Sequence, residues 1–292
     1  MEKLNKRISV IGLGYIGLPT SIVLANTGHK VIGVDNNLNV INKCKNGELH
    51  IVEPGLEIFF QEALDSKNLE FSTKITESDI YIICVPTPFL ISAEGDRKPD
   101  LSYIENVANS ISKVAKDNDC IILESTSPVG TTQRIQEIIS ENNNKKLHFA
   151  YCPERVLPGN IMKEIIENDR IVGGLDSKST DKAEELYKTF VTGNIFKTDS
   201  KTAELSKLIE NSYRDVNIAF ANEISIYSDK KNIDTYEVIK LANKHPRVNI
   251  MSPGVGVGGH CIAVDPWFLV SDDSENTRLI KTARDINDSK TL

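Results

Sequence analysis

The sequence predicts an α/β protein in which an N-terminal parallel sheet with helices on both faces precedes an all-helical part built on one long helix. In the first 200 residues, short β-branched segments of near-continuous apolar character alternate with longer segments of helical spacing. This alternation is typical of a parallel sheet with right-handed crossovers. From Lys201 to Ile233 there is no Gly or Pro, and apolar residues recur at helical intervals. We therefore expect two domains, residues 1–200 and residues 201–292.

The individual elements follow from the same patterns. Between the strands, Ile104–Ala115 is predicted as a helix. Beyond the long helix, whose start Ser200 or Thr202 is expected to cap, Thr235–Leu241 is predicted as a helix and another begins at Pro266. Six segments are predicted as strands: Arg7–Ile11, Lys30–Val34, Ile80–Val85, Cys120–Leu123, Phe149–Cys152 and Arg170–Val172.

The composition excludes several classes of protein. Of 292 residues, 40% are hydrophobic and 26% charged, which is normal for a folded soluble chain. No apolar run reaches the roughly 18 residues of a membrane span, and no secretory signal is recognisable, so no membrane partner is expected. The net charge of −7, without a long basic run, argues against nucleic-acid binding. Five scattered cysteines predict neither a disulfide framework nor a metal site and favour a reducing cytoplasm.

A glycine-rich string at the end of the first strand predicts a dinucleotide site. Residues 12–17 fit G-x-G-x-x-G between a strand and a helix. Gly12 would allow the tight turn, Gly14 the approach of a pyrophosphate, and Gly17 close helix packing, as in a Rossmann-like domain. Asp35 follows about 20 residues later, where an acid binds the ribose hydroxyls and repels a 2′-phosphate, so NAD is favoured over NADP. The competing interpretation is a glycine-rich turn that binds no ligand.

A second glycine-rich segment precedes a cysteine. Packing alone does not require so many glycines over residues 254–259, whereas close approach of a ligand does. The thiol of Cys261 is by itself equally compatible with a buried structural role and with a nucleophile. His260 is adjacent and is a candidate for a supporting role only. Asp265 before Pro266 is typical of a helix start, which does not exclude a second role.

One face of the long helix is polar. Glu204, Lys207, Asn211 and Asp215 lie three or four residues apart and share that face. A solvated stripe is the usual meaning of such a pattern, and the spacing alone does not single out Lys207.

Motifs along nearly the whole chain complete the pattern: GLGYIGLP, VPTP at Val85–Pro88, ESTSPVGTT at Glu124–Thr132, CPERVLPG at Cys152–Gly159, the Lys207/Asn211 helix, and GVGGHCIAVDPWFL at Gly256–Leu269. Taken together and in this order, they resemble the UDP-glucose/GDP-mannose dehydrogenase family. The last motif and HPRVNI at His245–Ile250 are most similar to the branch that oxidises UDP-N-acetyl-D-mannosamine. A sister branch that oxidises UDP-N-acetylglucosamine shares the GGHC pattern.

The resemblance implies an NAD-dependent, four-electron oxidation of a UDP-amino-sugar at C6 to a carboxylate. Cys261 would capture the aldehyde as a thiohemiacetal, which is oxidised to a thioester and hydrolysed. Lys207 would stabilise the oxyanions at C6, and Asn211 would position that oxygen. Asp265 and Thr126 would orient or activate water. Glu154 would assist the acid–base steps.

The resemblance also implies the binding residues. Arg247 is expected to reach the sugar site of a partner subunit. The cofactor residues implied are Gly12, Gly14, Tyr15, Ile16, Gly17, Asp35, Val85, Pro86, Thr87 and Thr126. The substrate residues implied are Arg155, Val156, Lys207, Asn211, Arg247 and Gly258.

Two substitutions and the length depart from the family pattern. Pro158 stands where some members have a second glutamate, and Val255 replaces an expected proline. Family members continue into a second Rossmann-like domain that supplies much of the UDP site, whereas this sequence ends at Leu292. The expectation is a truncated product or fragment, or a chain whose missing domain comes from a separate polypeptide.

Three further interpretations concern assembly, a different dehydrogenase activity and loss of function. The apolar stripe of the long helix has little to cover it, which predicts a homodimer through that helix. A β-hydroxyacid dehydrogenase would have similar domains but needs no cysteine. An NAD-binding remnant without catalysis would bind the cofactor without turnover.

Overall fold

The fold is built around one eight-stranded sheet, seen in a computed structural model that describes residues 5–92, 97–259 and 262–290. The chain divides into two units, Met1–Thr87 with Leu101–Glu204, and Pro88–Asp100 with Leu205–Leu292. The strands are β1 Arg7–Ile11, β2 Lys30–Val34, β3 Leu69–Ser72, β4 Ile80–Ile83, β5 Phe89–Ile91, β6 Arg97–Pro99, β7 Cys120–Leu123, β8 His148–Tyr151, β9 Arg170–Gly174 and β10 Ile195–Asp199.

The sheet of the first unit has the strand order β10-β9-β8-β7-β4-β1-β2-β3. Strands β1, β2, β3, β4, β7 and β8 are parallel, while β9 pairs with β8 antiparallel and β10 runs parallel to β9. Successive strands lead away from β1 on one side and from β4 on the other. The carboxyl ends of β1 and β4 therefore form a topological switch point, where open α/β sheets bind ligands.

Helices cover both faces of this sheet, which confirms the predicted α/β class. Along β4, Ile80 and Ile82 pack in one buried cluster, whereas Tyr81 and Ile83 pack in another. This alternation is the strand period of two, and it makes both faces apolar. The helices of this unit are α1 Gly17–Asn26, α2 Leu38–Lys45, α3 Leu56–Asp65, α4 Ser102–Ile111, α5 Thr131–Asn142, α6 Ile161–Glu167 and α7 Ser177–Tyr187.

The predicted long helix is confirmed and continues the chain into the second unit. Its 31 residues correspond to a length of about 46 Å. In the described chain after residue 200, only helices and loops follow: α8 Ser200–Lys230, α9 Thr235–Ala242, α10 Asp265–Asp272 and α11 Arg278–Ser289. The antiparallel hairpin β5–β6 also belongs to this unit. None of the described helices is both long and apolar enough to cross a membrane.

The start of α8 is capped differently from the sequence expectation. The cap is Asp199, whose carboxylate accepts hydrogen bonds from the backbone nitrogen of Thr202 at 2.9 Å and from its hydroxyl at 2.6 Å. Ser200 and Thr202, the predicted caps, lie inside the first turn of α8 instead. The hydrogen bonds from Thr202 lower the pKa of Asp199, so it caps as a carboxylate.

Candidate functional site

The glycine loop after β1 lies at the switch point of the sheet. Gly12 has a φ of +94°, and a Cβ added there would come within 2.5 Å of the Cys84 carbonyl oxygen. A Cβ on Gly17 would lie 1.8 Å from the Gly12 oxygen, whereas one on Gly14 would meet no protein atom within 4 Å. Gly12 and Gly17 are thus required by the protein itself. Gly14 leaves the open space that a pyrophosphate would use.

Asp35 is fixed beside this loop at the end of β2. One carboxylate oxygen accepts a hydrogen bond from the Leu13 backbone nitrogen at 2.9 Å, and the other accepts one from the Asn37 nitrogen at 2.8 Å. The side chain is half-buried, so part of it still faces solvent. Its position and charge fit an adenosine ribose with free hydroxyls, the form found in NAD.

The loops after β4 and β7 are tied to each other at the same edge of the sheet. The Thr87 hydroxyl donates to the Thr126 carbonyl oxygen at 2.6 Å, and the Ser125 hydroxyl donates to the Val85 carbonyl oxygen at 2.8 Å. Parallel strands end at one edge, so these loops adjoin the glycine loop. The structure therefore places the ten predicted cofactor residues in loops at one edge of the sheet, and their contacts with NAD remain predictions.

A buried carboxyl group that the sequence analysis missed underlies these loops. Glu124 follows β7 and accepts hydrogen bonds from the Tyr187 hydroxyl at 2.6 Å and the Cys84 thiol at 3.2 Å. Burial raises the pKa of Glu124, and it also raises the pKa values of Cys84 and Tyr187. Cys84 is therefore a neutral thiol. The sequence signals were a polar residue directly after the apolar strand CIIL and its place at the start of the motif ESTSPVGTT, in which no role was assigned to Glu124 itself.

Glu154 lies in a second buried cluster, in the loop after β8. Its carboxylate is 2.7 Å from the Arg170 guanidinium and also accepts a hydrogen bond from the Arg155 backbone nitrogen at 2.7 Å. Burial alone would lower the pKa of Arg170, but the nearby carboxylates outweigh it and raise that pKa. Glu154 thus has a permanently charged partner. The guanidinium of Arg155 donates to the Asp169 carbonyl oxygen, and Val156 packs against the core of the sheet.

The second unit contains a compact polar group formed by α8 and α10. Asn211 donates a hydrogen bond from its side-chain amide to the Asp265 carboxylate at 2.5 Å, and both side chains are buried. Burial raises the pKa of Asp265 to about 6, although the Asn211 hydrogen bond and the Lys207 charge act in the opposite direction. Lys207, one turn before Asn211, is half-buried. A carboxyl group that titrates near neutral pH is suited to proton transfer.

The polar face of α8 is buried, not solvated. Glu204, Asn211, Asp215 and Asn222 are all buried. Glu204 accepts hydrogen bonds from the backbone nitrogens at the start of α5, the closest at 2.6 Å. Each of these four side chains makes at least one hydrogen bond, as is usual for buried polar groups.

The remaining predicted site residues lie in or near the second glycine-rich segment. Cys261 and His260 lie outside the described residues. Gly258 is exposed in the glycine-rich loop, and Arg247 is exposed between α9 and that loop. The loop begins with an anchor that the sequence analysis missed: Gly254 donates from its nitrogen to the Asn222 side-chain oxygen at 2.9 Å.

Comparison with known proteins gives consistent matches along the chain. Residues 6–191 match the model described as "UDP-glucose/GDP-mannose dehydrogenase family, NAD binding domain", and residues 201–289 match the central domain of that family. A UDP-N-acetyl-D-mannosamine dehydrogenase from Methanococcus maripaludis is 53% identical over 97% of this chain. An NDP-N-acetyl-D-galactosaminuronic acid dehydrogenase from Ralstonia nicotianae is 48% identical, covering 98% of this chain and 69% of the relative.

A solved structure has the same fold. The UDP-D-ManNAc dehydrogenase from Pyrococcus horikoshii superposes with a TM-score of 0.91 at 43% identity, covering 97% of this chain and 68% of that chain. The present chain spans 65% of the length of the Methanococcus maripaludis relative.

Proposed function

Because the chain belongs to the UDP-glucose/GDP-mannose dehydrogenase family and contains its NAD-binding domain, we propose that it catalyses the NAD-dependent oxidation of UDP-N-acetyl-D-mannosamine at C6 to UDP-N-acetyl-D-mannosaminuronate. The buried Asn211–Asp265 pair beside Lys207 carries the proposal. A solvated helix face would not keep a carboxyl group buried with a pKa of about 6. The choice of sugar follows relatives of that name and the sequence around Cys261.

The residues of the first unit would hold the cofactor. NAD, when bound, accepts hydride from the C6 carbon. Gly14 leaves room for the pyrophosphate, and α1 begins directly after this loop without a side-chain cap, so its first backbone nitrogens would be available to the phosphates. Asp35 would accept hydrogen bonds from the ribose hydroxyls, for which its fixed orientation prepares it.

The chemical steps are assigned to residues by family resemblance. Lys207 would stabilise the developing C6 oxyanion through its charge, while Asn211 donates a hydrogen bond to the same oxygen. The Cys261 sulfur would add to the aldehyde carbon, giving a thiohemiacetal whose oxidation yields a thioester. Water, oriented by Thr126 and Asp265, would hydrolyse the thioester to the carboxylate and free the thiol. Glu154 would assist proton transfer.

Asp265 and Asn211 have a structural reason to act as a pair. The Asn211 amide donates to the Asp265 carboxylate, so its orientation is set and its oxygen faces away from that bond. Asp265 can take up a proton near neutral pH, because burial brings its pKa to about 6. These properties support a proton-accepting role in the hydrolytic step.

Spectrophotometry of NADH formation tests this function. The purified chain is mixed with NAD and, separately, UDP-N-acetyl-D-mannosamine, UDP-N-acetylglucosamine and UDP-N-acetylgalactosamine. We expect about two NADH per molecule of the mannosamine substrate, since the oxidation transfers four electrons. Cys261→Ala should abolish formation of the uronate, whereas Cys120→Ala, at a buried cysteine on β7, should not.

The alternative outcomes distinguish the competing functions. A preference for UDP-N-acetylglucosamine would assign the sister activity. One NADH per sugar, or full activity of Cys261→Ala, would exclude the thioester route. Tight NAD binding without any turnover would favour an NAD-binding protein without catalysis, or a chain whose missing domain comes from a separate polypeptide.

The proposed partner is a second copy of this chain, bound through α8. An apolar stripe of five side chains, each between 42% and 65% exposed, runs along the helix at four- and seven-residue intervals: Leu205, Ile209, Tyr213, Phe220 and Tyr227. Exposed apolar surface of this extent is typical of an interface. We propose the reducing cytoplasm as its compartment, because the described cysteines are free thiols.

A further inference from the structure

The connection between α2 and α3 contacts two loops of the candidate site. We propose that His50 and Glu53, in this connection, are positioning residues: His50 for the glycine loop, and Glu53 for the β8 loop, defined here as residues 152–160. The part concerning the β8 loop rests on the proposed function, because that loop carries Glu154 and Arg155. Neither residue belongs to the motifs that carry the family resemblance.

His50 fixes the centre of the glycine loop. Its Nε2 atom lies 2.7 Å from the Leu13 carbonyl oxygen. A carbonyl oxygen only accepts, so Nε2 is the donor. The Nδ1 atom lies 3.7 Å from the Cys44 sulfur, and burial raises the pKa of Cys44 to about 11, so a neutral thiol faces that nitrogen.

Leu13 is therefore held from both sides. Its nitrogen donates to Asp35, the predicted ribose ligand, and its carbonyl oxygen accepts from His50. Leu13 stands between Gly12 and Gly14, where the pyrophosphate is expected. Because glycines give this loop little stiffness of their own, the hydrogen bond from His50 limits how far the loop can move.

Glu53 fixes the end of the β8 loop in the same way. Its side chain is 1% exposed. One carboxylate oxygen accepts a hydrogen bond from the Gly159 nitrogen at 2.9 Å, and the other accepts one from the Ile161 nitrogen at 2.8 Å. Hydrogen bonds to an ionised carboxylate are stronger than those between neutral groups. Glu53 thus determines where the β8 loop ends and α6 begins.

The two contacts come from one short segment. Between His50 and Glu53 lies Val52, whose apolar side chain is 86% exposed and cannot form a hydrogen bond to either loop. Val52→Ala is therefore a matched control within the segment. His29→Leu is a second control, because it replaces a buried histidine that contacts Thr189 and neither of the two loops.

The first experiment measures NAD affinity by calorimetry on the full chain. His50→Leu should weaken NAD binding about fivefold, the equivalent of one lost hydrogen bond. His50→Gln, which can present a donor to Leu13, should stay within about twofold of wild type. Val52→Ala and His29→Leu should leave the affinity unchanged. If His50→Leu fails to fold, His50→Glu, of similar reach but without a donor when ionised, replaces it.

Equal NAD affinity in the wild type and in the folded variant lacking a donor would overturn the role of His50. An equal loss of NAD affinity in His50→Leu and His50→Gln would also contradict this role, because the hydrogen-bond donor to Leu13 would then make no difference. These readouts need no sugar substrate, so they stand even if the proposed oxidation is wrong.

The second experiment addresses Glu53. Glu53→Gln keeps the size of the side chain but replaces one accepting oxygen with a donor. We expect the KM for the nucleotide sugar to rise about tenfold, with NAD affinity unchanged and kcat less affected. Hydrogen exchange at the amides of Gly159 and Ile161 should accelerate in the same variant.

The combination separates failure of the positioning role from failure of the proposed function. Faster exchange with an unchanged KM would reject a role for Glu53 in substrate binding. Unchanged exchange would show that Glu53 does not hold the loop. If the wild type itself turns over no sugar, the proposed function fails, while exchange and NAD affinity still decide the positioning of both loops.

Discussion

At the residue scale, Asp265 combines a cost in stability with a chemical advantage. It is almost completely buried, and its carboxylate accepts a hydrogen bond from the side-chain amide of Asn211. Burial without full compensation raises its pKa from 3.8 to about 6. The protein therefore keeps a carboxyl group whose charged form is disfavoured, an arrangement that occurs at functional sites more often than elsewhere.

Replacing Asp265 should raise stability in a pH-dependent way. The pKa is 3.8 for the unperturbed group and about 6 in the folded state. At a pH between these two pKa values, Asp265 keeps its proton in the folded state and loses it in the unfolded state, so the free energy of unfolding falls as pH rises. Above pH 6 the carboxyl group is ionised in both states, and the full cost of its burial reduces the free energy of unfolding by about 3 kcal/mol, which corresponds to a shift of about two pKa units. Asp265→Asn should therefore raise Tm at pH 7.5 and leave it unchanged near pH 3.5.

Thermal unfolding at several pH values, followed by calorimetry, measures this effect. Asp272→Asn, at an exposed aspartate at the other end of α10, is the control and should change Tm little at any pH. Asp265→Asn should also lose most of the proposed oxidation. A Tm difference independent of pH would show that ionisation of Asp265 is not the cause.

At the element scale, α8 combines a buried face that is rich in polar residues with an exposed apolar stripe. Its buried face carries Glu204, Asn211, Asp215 and Asn222, whereas its apolar stripe is exposed. The buried charge of Asp215 is paired with Arg284 of α11 at 2.6 Å and accepts from Asn287 at 2.8 Å. Hydrogen bonds and ion pairs thus attach α11 to α8, where apolar packing would be expected.

This pairing predicts a large loss of stability when one partner is removed. Arg284→Met leaves Asp215 buried without its cation, and loss of one member of a buried ion pair costs about 3–5 kcal/mol. Arg278→Met, at an exposed position on the same helix, should change stability by less than about 0.5 kcal/mol. Urea unfolding followed by fluorescence of Trp267, the only tryptophan of the sequence, reports directly on the second unit. Equal effects of the two variants would contradict the importance of the pair.

The elements that the sequence predicted well are those with a strong local pattern. The strands β1 and β2 have the predicted bounds, because continuous apolar character and a following glycine or aspartate delimit them. The edge strand β10 was missed because three of its five residues are exposed and its apolar pattern is weak. The antiparallel direction of β9 could not be predicted, since a strand buried on both faces has the same composition in either direction.

The candidate site shows the same division. Residues 12–17 and Asp35 could be singled out from the sequence, because each is predicted to perform a local task for which only one or two residue types are suited. His50, Glu53, Glu124 and Asn222 were missed, because their partners lie between 32 and 108 positions away in the sequence. No spacing rule connects residues that only the tertiary fold brings together.

At the scale of the whole molecule, the exposed stripe of α8 requires an explanation. Large apolar side chains over much of a helix would be unfavourable in water, and covering them with an identical stripe is the simplest symmetric solution. In a twofold interface both copies contribute the same residues, so one substitution in the sequence changes the interface at two places. Introducing one charged residue into the stripe should therefore weaken the dimer strongly.

Phe220 and Tyr227 are the positions at which to test the dimer, since both are exposed and lie far along α8 from Lys207 and Asn211. Wild type should sediment with twice the mass of one chain at micromolar concentration. Phe220→Asp should sediment as a single chain, because two buried, unpaired carboxylates would cost several kcal/mol at the interface.

Leu38→Asp, at an exposed leucine of α2, should remain dimeric. NAD affinity should be retained in Phe220→Asp, which would show that the first unit is folded. A wild-type monomer at all concentrations, or a dimeric Phe220→Asp and Tyr227→Asp double variant, would exclude α8 as the interface and leave the stripe to be covered by a different surface.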